Sequence, residues 1–272
     1  MVKSIFELER RFDFNKEFIR LINLLDARIY GNKNYRNQTF WAIADINFSE
    51  WRYRLTATNI SQYFEDLDID FDNIYSCDNT HKMYVLQFID SYIIFLINNF
   101  KIDYRIVSES EAYKPYLTII KNISHIISKL NFKRDVDERK ETVTYIKRDA
   151  DTDSILSIIE NEDDLRLALL EYNDFRIEND VEEKKKLIFK IYQFIELHKK
   201  DYQEKNNTLY KSISHIVNNY KIRHSNSCQI SLNDSDTIEV YDICFKMIIH
   251  LIRDSYIKDS FKKIKEKYES NK

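Results

Sequence analysis

TIEVYDICFKMIIHLI, residues 237–252, decides the fold class. Ile238, Tyr241, Phe245, Ile248 and Ile252 recur at helical spacing on one stripe, and Val240, Cys244, Met247 and Leu251 fill the ground beside it. A helix apolar on nearly all sides has neighbours on nearly all sides, so this segment belongs in the middle of a helical bundle. Working outward, the same period returns at Leu165, Ala168, Leu169 and Tyr172, then at Ile188, Ile191, Ile195 and Tyr202, and again at Leu209, Ile213, Ile216, Val217 and Tyr220. Short polar turns join these runs, and residues 151–272 are predicted to form an up-and-down bundle of four to five helices. The end, KDSFKKIKEKYESNK, reads as a solvated basic helix or a frayed tail.

Residues 1–130 are helical as well. Stripes begin with Ile5, Leu8 and Phe12 and, after a break at Asp13–Asn15, continue with Phe18, Leu21, Ile22 and Leu25. Asn47 with Glu50 has the spacing of a capping box before a short helix holding Trp51 and Leu55, and Asn59 is placed to cap the next one. Asp78 or Asn79 opens a long helix to about Phe100, and Pro115, suited to a first helical turn, opens another through Leu130. Between the halves, 131–150 (NFKRDVDERKETVTYIKRDA) gains charge and loses the 3.6 period, which predicts a charged linker or small hairpin. The fold class is therefore all-α, with an N-terminal helical region of unassigned role and a C-terminal bundle.

Composition narrows the chemistry. The chain has one glycine, Gly31, and one proline, Pro115, where ordinary usage at this length would give about twenty and about a dozen. Phosphate-cradling loops and strained nucleophile turns need glycine where a Cβ would clash, so dinucleotide, P-loop and nucleophile-elbow chemistry are excluded in practice. A formal net charge of −3 supplies no global field toward nucleic acid or anionic membrane. Three cysteines, Cys77, Cys228 and Cys244, form no CxxC pair, and no histidine has metal-ligand spacing, so no metal or other cofactor is predicted. The charged start MVKSIFELERRF shows no signal peptide, and MYVLQFIDSYIIFLINNF is interrupted by Gln87 and Asp90, so a cytoplasmic protein without a membrane span is expected.

Three stretches invite functional readings. DADTDSILSIIE places Asp149, Asp151, Asp153 and Glu160 at calcium-loop spacing, but Ser154 stands where the loop needs glycine; the favoured account is an acidic helix start. YGNKNYRNQTFW and SEWRYRL interleave aromatic and basic residues as single-strand binders do, although chance adjacency among 19 tyrosines and 17 phenylalanines is the stronger account. His198 and His250 read as hydrogen-bonded core histidines within apolar helices.

VNNYKIRHSNS, residues 217–227, is different: the helical stripe stops near Tyr220, and Arg223 and His224 fall in the turn before the last helix. Cations at a helix C-terminus complement its dipole, and that alone accounts for the charges. The residue types also suit metal-independent RNA cleavage, in which a neutral imidazole takes the 2′-hydroxyl proton while a cation and amide donors hold the phosphate. The bundle around this turn, from ALLEYNDFRIENDVEEKKKLIFKIYQFIELHKK through TLYKSISHIVNNY and KIRHSNS to TIEVYDICFKMIIHLI, resembles the HEPN superfamily, helical bundles of prokaryotic toxin, abortive-infection and CRISPR-associated proteins. The family's signature is an Arg followed five residues later by His; here Arg223 adjoins His224, and Asn219 occupies the position five before it. The resemblance implies an antiviral-defence or toxin–antitoxin setting, and a ribonuclease with Arg223 and His224 as catalytic residues and Asn219, Lys221 and Asn226 as RNA contacts. It further implies partnership with RNA and with a second copy or another protein through helical faces. The alternative is a non-catalytic helical interaction or RNA-binding protein.

Overall fold

The computed structural model describes residues 12–27, 38–99, 109–137, 139–159, 162–223 and 229–269. It is all-α apart from one hairpin, and the chain divides into two compact units, Met1–Tyr145 and Ile146–Lys272. Among the described residues no helix is long and apolar enough to cross a membrane.

The first unit holds α1 (Phe14–Leu25), α2 (Phe40–Asn47), α3 (Ile60–Glu65), α4 (Asn79–Asn99) and α5 (Glu109–Lys129). Side chains that accept from free first-turn amides start several of them: Asp13 from Lys16, Thr39 from Ala42, Asn59 from Gln62 and Asp78 from His81. Asn59 and Asp78 are caps the sequence predicts. The core is aromatic, with Trp51 edge-on to Phe88 at 5.2 Å and to Tyr63 at 5.3 Å, and the buried Tyr92 hydroxyl donating to Ala44 O at 2.7 Å. Strands β1 (Phe132–Asp137) and β2 (Thr142–Lys147) pair as a hairpin in the charged stretch, and the division between the units falls within β2.

Asp90, which interrupts the most apolar stretch of the chain, is fully buried on α4. Its carboxylate accepts two bonds from Arg134 of β1, at 2.6 and 2.7 Å, and one from the Tyr145 hydroxyl at 3.2 Å. Burial pushes the Asp90 pKa up, and these donors pull it back.

Two expectations for this unit fail. Trp51 and Leu55 are not helical: Asn47 closes α2, Phe48–Glu50 form a 3-10 turn, and Leu55 takes a left-handed φ of 55°. The packing of Trp51 among aromatic rings outweighs the capping-box spacing that argued for a helix. Nor does Pro115 open its helix, which begins at Glu109 and passes through it; the buried Tyr116 and Ile119 that follow anchor the segment despite the lost amide.

In the second unit Ile146 bridges Asp174, and five helices follow: α6 (Ala150–Leu156), α7 (Asp163–Tyr172), α8 (Val181–Leu197), α9 (Lys199–Asn219) and α10 (Asp234–Glu269). Asp149, first in the calcium-like spacing, caps α6 by accepting from Asp151 N and Thr152 Oγ1, and Asp151 pairs with Arg253 at 2.5 Å. These carboxylates therefore serve a helix start. Helix α9 breaks at Asn206, whose backbone leaves helical values while its side chain accepts from Leu209 N and so restarts the helix.

Through Ile252, α10 packs on most of its circumference, as its apolar sequence predicts, but one face, Glu239, Ile243, Lys246 and His250, is exposed, so it is not surrounded. Cys244, Ile248 and Leu251 are fully buried against Ile188, Ile191 and Ile195 of α8 and Ile213 and Val217 of α9. A polar tie crosses the same core: Asp242 of α10 accepts from Tyr172 Oη at 2.7 Å and from the buried Lys184 Nζ at 2.6 Å. His198 and His250 are exposed instead of lying in the core: His198 caps the junction between α8 and α9, and His250 is on the outward side of α10.

Candidate functional site

The turn after α9 follows from three local features. Tyr220 N still donates to Ile216 O, closing the helix; Lys221 then adopts a left-handed φ of 61°, reversing the chain; and Ile222 tucks into the bundle core with Val217. Arg223 N donates to Val217 O at 3.1 Å, so the chain doubles back along the last turn of α9. On the far side of the loop, Ile230 N donates to Asn219 O at 3.0 Å and Gln229 Nε2 to Asn218 O at 2.6 Å. His224 and Asn226, predicted as the base and an RNA contact, lie outside the described residues.

Arg223, Lys221 and Asn219 each have a partner within the second unit. Arg223 Nη1 donates to Glu196 Oε1 at 2.9 Å. Lys221 Nζ donates to Ser231 Oγ at 2.9 Å. Asn219 Nδ2 donates to His215 O at 2.8 Å and lies 3.2 Å from His215 Nδ1, the ring of the preceding helical turn.

The two cations diverge. Lys221 lines a cleft of about 380 Å³ with Glu182 and Lys185 from the first turns of α8, Tyr220 from the end of α9, and Asp234 and Tyr241 from α10. Arg223 instead reaches Glu196, near the end of α8. At 1.5 Å rise per residue, Glu182 and Glu196 lie about 21 Å apart along the helix. Lys221 lines the cleft and bonds Ser231, whereas Arg223 pairs with Glu196, so the two cations have different partners.

The cleft beside Lys221 is mixed in charge, Lys185 and Lys221 against Glu182 and Asp234, with the Tyr220 and Tyr241 rings in its wall. Tyr241 donates to Tyr220 O at 3.3 Å, and burial pushes its hydroxyl up to about 12, so the phenol stays protonated at neutral pH. Among the described residues no group of three or more His, Cys, Asp or Glu side chains could hold a metal ion.

The other basic–aromatic stretch serves the fold. Arg54 donates to Ser49 O and Ala57 O, Arg52 pairs with Glu141 at 3.4 Å, and Trp51 is buried. Tyr30–Asn37, the greater part of the first such stretch, lie outside the described residues. Sequence reading missed Glu196, Ser231 and His215, the residues that position the turn's polar groups. Only His215 carried any signal, four residues before Asn219 on one helix face. No protein-family model, no curated protein and no solved structure matches this chain.

Proposed function

We propose that the chain is a HEPN-like protein of a prokaryotic antiviral-defence or toxin–antitoxin system and that the turn after α9 cleaves RNA without a metal. The observation that carries this reading is the placement of Arg223. It stands directly before His224 at the bundle surface, its backbone fixed by Val217 and its guanidinium aimed by Glu196. An arginine oriented by a carboxylate keeps further N–H groups for a phosphate oxygen. His224 then takes the proton of the ribose 2′-hydroxyl, whose oxygen attacks the adjacent phosphorus; the P–O5′ bond breaks and the leaving 5′-oxygen takes a proton from water. Arg223 holds the charge that builds on the phosphate oxygens.

The second reading, a non-catalytic RNA- or partner-binding bundle, is favoured by one observation: Arg223, Lys221 and Asn219 are all engaged by neighbours. The two part in a cleavage assay. Purified protein is incubated with end-labelled single-stranded RNA in excess EDTA, alongside His224→Ala and Arg223→Ala. The ribonuclease reading expects products ending in cyclic phosphate, loss of cleavage in both variants, and a rate that falls as pH drops below the imidazole pKa. Intact RNA with retained binding assigns the turn to the second reading.

A further inference from the structure

The last four turns of α10 carry an apolar stripe with no role in the bundle. Ile257, Phe261, Ile264 and Tyr268 are 56, 57, 54 and 64 % exposed, although each is a large hydrophobic residue. Their spacing of four, three and four residues is that of a coiled-coil seam. Asp259, about 200° round the helix from Ile257, pairs with Lys205 of α9 and marks the side that faces the bundle. The stripe lies beside that side, and its four residues, each more than half exposed, are left uncovered by the bundle.

Set in heptads, Phe261 and Tyr268 are a positions and Ile257 and Ile264 are d positions. The flanking e positions are Lys258 and Lys265, the g positions Ser260 and Lys267, and the outer f positions Asp259 and Glu266. Every charged residue beside the seam is basic and both f residues are acidic; lysines also stand at the outer b and c positions, Lys262 and Lys263, and Lys258 donates to Lys205 O, which leaves Lys265 and Lys267 as the cations running along the seam. The Lys265 ammonium lies 5.2 Å from the Phe261 ring centre and that of Lys267 5.0 Å from Tyr268, so both side chains run along the seam.

We propose that this stripe docks an acidic amphipathic helix of a partner protein, forming a short heterotypic coiled coil. A second copy of the chain is disfavoured by charge. An antiparallel pair sets lysine against lysine at both flanks, and a parallel pair sets Lys265 against Ser260 and supplies it no carboxylate. Glutamate at the partner's e and g positions meets those lysines instead. The inference is independent of the ribonuclease reading, since neither the turn nor the cleft is part of this surface.

The test uses the full chain and a fluorescent four-heptad peptide with Leu at a and d and Glu at e and g. Anisotropy should show saturable binding that weakens about tenfold at high salt, and by about tenfold or more in Phe261→Asp/Ile264→Asp. A peptide with Lys in place of Glu should not bind wild type, and Lys265→Glu/Lys267→Glu should reverse that preference. These side chains are at the surface, and unchanged helical circular dichroism verifies that the variants fold. The proposal is overturned if neither peptide binds or if both bind equally. It is also overturned if sedimentation shows a dimer that Phe261→Asp/Ile264→Asp dissolves, or if the wild-type stripe ignores the peptide but captures phosphatidylserine vesicles or a single-stranded RNA.

Discussion

Replacing Glu196 with glutamine should strengthen RNA binding, an outcome that a purely structural role for Arg223 does not produce. In the folded chain Glu196 accepts from Arg223 at 2.9 Å, with the two side chains 36 and 35 % exposed. An ion pair so open to water contributes about 0.2–1 kcal/mol. An RNA phosphate arriving at the guanidinium must share it with that carboxylate or displace it. Glutamine keeps the shape and one acceptor but removes the competing charge. Since 1.4 kcal/mol is a factor of ten, affinity should rise by up to about fivefold. Arg223→Ala should act the other way, weakening binding and lowering the salt slope by about 0.7, the value of one phosphate contact on a single strand. The assay is anisotropy of labelled single-stranded RNA over a salt series, with Glu196→Gln/Arg223→Ala as the closing corner of a double-mutant cycle. The double variant should match Arg223→Ala alone, because Glu196 acts only through the guanidinium. If Glu196→Gln leaves affinity and salt slope unchanged and Arg223→Ala does the same, the pair is a surface strut and the phosphate role of Arg223 is refuted.

Three further outcomes follow from the packing. Arg134→Met strands the fully buried Asp90 carboxylate, which should cost about 3–5 kcal/mol in denaturant melts at neutral pH; because Arg134 pulls the Asp90 pKa down against burial, its loss lifts the folded pKa above that of the wild type, so the deficit should grow as pH rises from the wild-type folded pKa to the variant's and shrink in acid. Lys221→Gly removes a side chain from a left-handed position and should stabilise by up to about 1 kcal/mol, read as a melting temperature about 2–4 °C higher, while leaving Arg223-dependent RNA binding intact. Cys244, fully buried and with its thiol pushed up to about 12 by that burial, should resist iodoacetamide in native buffer and react once denaturant is added, as counted by mass spectrometry.

The second unit was legible in the sequence because burial there is periodic. The residues that make α10 apolar all round, Tyr241, Cys244, Phe245, Ile248 and Leu251, are the ones its neighbours cover. Helix starts were legible where one side chain suffices, as at Asn59 and Asp78. The reading went astray where distant packing overrode a local signal. The Asn47–Glu50 spacing is a valid capping pattern, yet Trp51 belongs to a ring cluster completed by Phe88 and Tyr92, some forty residues on. His198 and His250 looked internal because the segments around them are apolar; His198 instead falls at the junction of two helices, and which side of α10 faces out at His250 depends on neighbours that a single segment does not contain. Left-handed turns were equally hidden: with one glycine in the chain, Leu55, Asp68, Asn131, Glu141 and Lys221 take positive φ themselves, and the residue that normally marks such a turn is missing.

The candidate site was legible as a location but not as an arrangement. Lys221 and Arg223, two residues apart, suggest joint service on one phosphate; the bundle instead gives them different partners, Ser231 for Lys221 and, for Arg223, Glu196, 27 residues away in sequence. This bears on what the turn can recognise. Under the proposed ribonuclease reading, an RNA long enough to meet both the cleft and Arg223 sets a phosphate at Arg223 and a base beside Tyr220 and Tyr241. The cleft and Arg223 then make separable contributions. Lys185→Ala should weaken binding of longer RNAs and leave that of the shortest unchanged, whereas Arg223→Ala should weaken both.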